Sequence, residues 1–315
     1  MEKGRNLGHL TLIRNINRSL VLNTVKEKQP ISRAQLSKTL HLSKTTVSAI
    51  VDELLDKRLL VEYGDCVPSA GAGRPSVMLG FNPRSAYCIG VDIGGTKILL
   101  LVTDLSGEVV YEVKVPAQSS VEGLVAMIAS AWEACGVKRE ALLGIGVGVP
   151  GTVTKEGVVI RARALGWNNL PLQEMLEKQF DCPVFVGNDV NLAALGERWL
   201  GSGEQTDHML FLTIGTGIGG ALICGGQLVL GAQNRAGEIG YFLESCDVER
   251  GRLNRLGSQG VLEKKCSGSA LNQDGRSAKE WFSAYRLGEQ EAVARIGAFV
   301  RDLSVAIADA VSLLN

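Results

Sequence analysis

YCIGVDIGGTKILLLVTD, residues 87–104, decides how the rest of the chain is read. An apolar run ends in Asp92, Gly94-Gly95-Thr96-Lys97 follows, and a second apolar run begins at once. That is strand, glycine turn, strand. Backbone N–H groups in such a turn can wrap a phosphate. The P-loop and dinucleotide fingerprints need a helix after the glycines, so neither applies. Residues 213–223, TIGTGIGGALI, repeat the pattern, and LGIGVGVPG (143–151) adds a buried strand ending in a turn. Two such hairpins more than a hundred residues apart predict a duplicated, two-lobed α/β fold that grips a ligand between its lobes. Taken singly, each glycine set is explained as well by a tight turn kept for the fold.

Composition sets the outer limits. A chain of 315 residues predicts two or three domains at roughly 150 residues each. With 45% apolar and 21% charged residues, wholesale disorder, collagen and a coiled-coil rod are excluded. The net charge of zero hides an asymmetry: residues 1–46 hold nine Lys/Arg against two acids. A basic end on a mildly acidic body points to a polyanion, with a solvated basic face as the alternative. Seven scattered cysteines and no apolar leader predict reduced thiols in a cytoplasmic protein. The uncharged stretch 209–234 is broken by glycines and polar residues. It reads as buried strands, so no membrane partner is expected.

The basic end has its own grammar. In 12–28 an apolar face of Ile13, Ile16, Leu20, Val21 and Val25 predicts a supporting helix closed by Pro30. Ser32, with Gln35 three residues on, opens a second helix as a capping box. Ser43 opens a third, with Val47, Ile50, Val51, Leu54 and Leu55 facing inward. This is a helix-turn-helix. The expected DNA-contacting residues are Ser32, Arg33, Ser43, Lys44, Thr45, Thr46 and Ser48, small, polar or basic and near helix starts. Runs at 59–64 and 76–81 form a wing hairpin. Between them Arg74, held extended before Pro75, either enters an A·T minor groove or lies in a plain linker. The winged helix-turn-helix, mainly α, is expected over residues 1–82.

Five stretches in order make the remainder specific: Asp92–Lys97, Gly146–Gly151, Gly187–Glu197, Ile214–Gly220 and Ala236–Gly240. They resemble the ROK family of sugar-responsive repressors and sugar kinases, over about 83–315. The resemblance implies an actin-like ATPase (ribonuclease H-like) α/β fold, with lobes near 83–200 and 201–315. The preceding winged helix resembles the repressor branch, of xylose-repressor type. By resemblance, Asn188 and Asp189 are the sugar-binding pair, and that Asp is the catalytic base in the kinases. Glu238 and Glu263 match further sugar-binding glutamates, Glu263 reading otherwise as a helix-terminal acid. Trp167 either covers a pyranose face or belongs to the core.

Departures from the family pattern matter as much. Tyr241 stands where the family's E-x-G-H motif has a histidine that binds sugar and a structural zinc. Asn254, Leu256 and Val261 fall at the three cysteine positions of the zinc segment, so no metal is expected. The apolar helix ending at Asn315 is followed in the family by a strand and a nucleotide-binding turn. An incomplete second lobe is therefore expected. ATP binding through Asp92, Gly94, Gly95, Thr96, Lys97, Gly215, Thr216 and Gly217 is then doubtful, and no cofactor is expected. The functional expectation is a homodimeric repressor of carbohydrate genes, binding operator DNA and a monosaccharide effector such as xylose. The rival is an ATP-dependent, glucokinase-like sugar kinase with an accessory DNA-binding domain and Asp189 as base.

Overall fold

A computed structural model of the chain describes residues 3–64, 76–117, 120–204, 206–255, 258–272 and 275–314, with side chains from Leu12 onward. Two compact units emerge: Met1–Cys88 with Val102–Tyr111 and Cys135–Leu143, and Ile89–Leu101 with Glu112–Ala134 and Gly144–Asn315.

The first unit begins with helices α1 (Lys3–Lys28), α2 (Arg33–Leu40) and α3 (Lys44–Asp56). Strands β1 (Ile31–Ser32), β2 (Leu60–Tyr63) and β3 (Met78–Phe81) form an antiparallel sheet in the order β1-β3-β2. Leu60 faces Phe81 and Ile31 faces Leu79, which makes the expected wing. The core is Val21, Val25, Leu36, Val47, Ile50, Val51 and Leu54, closed by Ile31, Leu60 and Leu79 from the strands. These positions recur every three or four residues, so one stripe of each helix is buried.

One expectation fails here. Helix α1 starts at Lys3, well before residue 12, and Ile13, Ile16 and Leu20 are about half exposed together with Leu12. Among the described side chains of α1, Val21 and Val25 are buried in the core, with Leu22 packed against it. Arg14 and Arg18, on the same stretch, bond Glu53 of α3, so the helix lies alongside the body there and Ile13, Ile16 and Leu20 fall on a face turned away from it.

The remainder of the chain is α/β. Strands β4 (Tyr87–Ile93), β5 (Lys97–Asp104) and β6 (Val109–Pro116), helix α4 (Val121–Ala134) and β7 (Leu142–Val149) follow in order. Next come β8 (Thr152–Val153), β9 (Val159–Ala162), β10 (Trp167–Leu170), α5 (Leu172–Phe180), β11 (Val184–Asn188) and α6 (Asp189–Leu200). A five-stranded sheet runs β11-β7-β4-β5-β6, with β11 parallel to β7, and β8 to β10 form a small separate sheet. Ile89, Val91, Ile93, Ile145, Val147 and Val149 are buried at alternate positions, as the two-residue side-chain period requires.

A second sheet, β12 (Met209–Ile214), β13 (Ile218–Cys224) and β14 (Gln227–Val229), is antiparallel throughout. Short helices α7 (Ser245–Glu249), α8 (Val261–Cys266) and α9 (Gly268–Leu271) precede α10 (Ala278–Arg286) and α11 (Gln290–Leu314). Ile218, Ile239, Leu262, Cys266, Trp281, Ile296 and Phe299 share one core there. Among the described residues no helix is long and apolar enough to cross a membrane.

Candidate functional site

In the first unit the start of α3 is open to solvent. Ser43 caps the helix by accepting from Thr46 N–H at 3.1 Å, and its hydroxyl lies 3.0 Å from that of Thr45 and 2.8 Å from that of Thr46. Ser43, Lys44 and Thr45 are exposed, and Thr46 and Ser48 are half-buried. Four backbone N–H groups without helical partners and the positive end of the dipole face the same way, which suits an anion.

The start of α2 is different. Ser32 is buried, and its hydroxyl and N–H close the capping box with Gln35. Arg33 is ion-paired to Asp52 at 2.6 Å and Glu62 at 3.0 Å. Both were expected to contact DNA; the fold instead engages Ser32 in a cap and Arg33 in bracing α2 to α3 and the wing. Arg74 lies outside the described residues.

The second site lies wholly within the second unit. Strand β11 delivers Asn188 to the N-cap of α6, where its Oδ1 accepts from Asn191 N–H at 3.0 Å. Its Nδ2 donates to Gly151 O at 3.1 Å and to Asp189 Oδ1 at 3.0 Å. The Asp189 carboxylate also accepts from its neighbour Val190 N–H at 3.0 Å. Half-buried, Asp189 is pushed up to about 6, by burial first and then by the Asp92 and Glu238 charges, against its backbone hydrogen bonds. A carboxyl poised there can accept a hydroxyl proton near neutrality.

Glu238 and Glu263 stand together. Glu238 precedes the 3-10 turn Ile239–Tyr241, and Glu263 occupies the first turn of α8, where its Oε2 accepts from Gly260 N–H at 3.3 Å. The surrounding protein raises both carboxyls, Glu263 adds repulsion to Glu238, and Arg235 pulls Glu238 partway back. A side chain at 217 would meet the end of the Glu263 carboxylate and push it aside. The cluster is therefore rich in acceptors, which suits a polyhydroxylated neutral ligand. Trp167 is 7% exposed, so its ring belongs to the core and is not presented as a cover for a sugar face.

Tyr241 does not offer its hydroxyl to that cluster. The phenol donates to Ser258 O at 2.6 Å, with the Arg235 guanidinium 5.5 Å from the ring centre. Asn254 donates from Nδ2 to Tyr241 O at 2.5 Å and accepts at Oδ1 from Val261 N–H at 2.9 Å. The donor set does not fit the family's zinc. The amide is engaged at both ends, Val261 is a buried hydrocarbon, and Leu256 lies outside the described residues. Burial pushes the Cys266 thiol up to about 12. Glu244, Cys246 and Asp247 do cluster, but Lys265 holds that place, 2.6 Å from Asp247 and 3.2 Å from Glu244. Burial alone would raise Asp247, yet the Lys265 ammonium keeps it below the usual range.

Both glycine turns are closed on themselves. Gly94 N–H donates to Lys97 O at 2.8 Å and Gly215 N–H to Gly217 O at 2.9 Å. The carbonyls of Gly215 and Thr216 accept from Gly268 and Ser269 at the start of α9. Asp92, Gly95, Thr96 and Lys97 are exposed. Sequence reasoning missed Arg235, Lys265 and the bridging role of Asn254. Only Asn254 carried a signal, as the polar residue at a lost cysteine position.

Residues 88–315 match the model of the ROK family, and residues 14–74 match that of the MarR family. The chain belongs to the ROK family. It is 34% identical to the xylose repressor of Caldicellulosiruptor bescii, over 84% of this chain and 67% of that protein. To the glucokinase of Halalkalibacterium halodurans it is 33% identical, over 73% and 77%. Its fold matches the crystal structure of a ROK family transcriptional regulator, a homolog of the E. coli MLC protein. There the TM-score is 0.80 and the identity 25%, over 96% of this chain and 81% of that one. Repressors and kinases both stand among the relatives, and the helix-turn-helix unit places the chain with the xylose-repressor-like regulators.

Proposed function

We propose that this ROK protein is a monosaccharide-responsive transcriptional repressor. One observation carries the reading: a helix start with Ser43, Lys44 and Thr45 exposed, on a winged helix, shares a chain with the acceptor-rich cluster of Asn188, Asp189, Glu238 and Glu263. Lys44 neutralises a phosphate, and Thr45 and Thr46 reach base edges in the major groove. The protein acts in the cytoplasm as a homodimer on a two-fold operator, as helix-turn-helix proteins do. Sugar stabilises one of two arrangements of the chain, and DNA binds the other more tightly. Xylose is the first effector to try, given the repressor relatives. Anisotropy titration of the chain on its own upstream region, with and without D-xylose, D-glucose and N-acetyl-D-glucosamine, tests the reading. A salt-sensitive complex released by one sugar supports it, and no salt-sensitive complex sinks it.

A second reading rests on Asp189 alone. A carboxyl at about 6 can serve as the base of a sugar kinase. A coupled ADP-release assay decides: turnover abolished by Asp189→Asn establishes the kinase, and no turnover with any of the three sugars leaves the regulator.

A further inference from the structure

The two glutamates of the sugar cluster ride on elements too short to hold themselves. The 3-10 turn Ile239–Tyr241 has three residues and α8 has six. Segments of that length are not stable helices in water. Their relative position must come from tertiary contacts, and one side chain supplies the link. Asn254 Nδ2 donates to the carbonyl of Tyr241, the last residue of the turn, while Oδ1 accepts from the N–H of Val261, the first residue of the helix. The Tyr241 phenol then secures the intervening chain at Ser258 O. Backbone packing completes the clasp: a side chain on Gly260 would collide with the Gly240 carbonyl.

We propose that Asn254 and Tyr241 are positioning residues that fix Glu238 against Glu263 for the sugar, and that this clasp makes the sugar response independent of metal. The proposal rests on the reading of the two glutamates as sugar contacts. It replaces the zinc that the family resemblance implies: one amide and one phenol stitch the segment that thiolates would otherwise staple. The amide is chemically demanded. Asparagine donates at one end and accepts at the other, whereas a carboxylate could still accept from Val261 N–H but would face the Tyr241 carbonyl with no proton. The carbonyl of the half-buried Tyr241 would lose its partner and gain a repelling charge.

The full-length chain, wild type and Asn254→Asp, is compared for binding of whichever of D-xylose, D-glucose and N-acetyl-D-glucosamine the wild type takes up. Asn254→Asp should weaken that sugar about tenfold and Tyr241→Phe about threefold, the latter guarding against a misfolded first variant. Hydrogen exchange should quicken at 239–241 and 260–263 in Asn254→Asp while β4 to β7 keep their protection. EDTA should leave wild-type affinity unchanged. Zinc at one per chain with a response lost to EDTA overturns the proposal, as does wild-type exchange and affinity in Asn254→Asp. A merely structural role would lower the melting temperature and leave affinity intact well below it. If the wild type binds no sugar, the sugar reading falls by itself, and the exchange data still decide the clasp.

Discussion

Helices α2 and α3 begin almost alike, and they end up in opposite surroundings. Each opens on a capping serine followed by a basic residue, Ser32-Arg33 and Ser43-Lys44. At α2 the serine is buried and the arginine is held by two carboxylates. At α3 the serine is exposed, and among the described residues Lys44 has no ion-pair partner. Local sequence makes a helix start, but the neighbours decide whether its cation is free for a phosphate. Arg33 faces Asp52 and Glu62 because α3 and the wing both return to it. Among the described residues no carboxylate pairs with Lys44.

The strongest attack on that contrast is charge reversal. Lys44→Glu should weaken operator binding about a hundredfold near 0.1 M salt and lower the slope of log K against log salt by about one. Anisotropy over a salt series measures both, and an unchanged slope breaks the contrast. Thr45→Ala or Thr46→Ala should cost about tenfold on the best operator and less on others, since base contacts discriminate by roughly 1–3 kcal/mol. A uniform loss across sequences would move those threonines to the backbone. Arg33→Ala should change DNA affinity less than threefold while costing about 1 kcal/mol of stability in thermal melts. A large loss of affinity with no loss of stability would restore Arg33 as a DNA contact.

The acidic cluster around Asp189 offers a pH-dependent test of smaller size. Asp189 titrates at about 6 in the folded chain, above an ordinary aspartate. The native state therefore binds that proton more tightly than the unfolded one, and the ionised carboxyl costs stability above pH 6. The cost fades as pH falls from 6 toward 4. Asp189→Asn should raise the sugar-free melting temperature at pH 7.5 by roughly 2–4 °C, with no gain at pH 4. The same change should leave release of DNA by sugar partly intact, because the amide oxygen can still accept a hydrogen bond. A variant that melts lower at pH 7.5 would show that the carboxylate stabilises the fold.

Periodicity and turn chemistry were enough for the strands, turns and helix starts, while the actin-like architecture rested on the family resemblance. The alternation through β4, β5 and β7 and the glycine turns at 94–97 and 215–217 are local properties, and the structure realises them as strands and turns. The helix-turn-helix was legible for the same reason, because capping and a 3.6-residue stripe are written within a few residues. Asn188, Asp189, Glu238 and Glu263 could be picked out as a set, but only from ordered motifs, since nothing local marks two acids as neighbours. What lay beyond the sequence was pairwise and distant. The stripe on α1 faces away from α3, which Arg14 and Arg18 reach through Glu53, so Ile13 and Ile16 are exposed. Trp167 went to the core, and Arg33 to its two carboxylates. Asn254 became a bridge between residues 13 and 7 positions away on either side. Element type follows from forces acting over a single helical turn or strand, whereas the partner of a polar side chain is chosen by which segments folding brings alongside it.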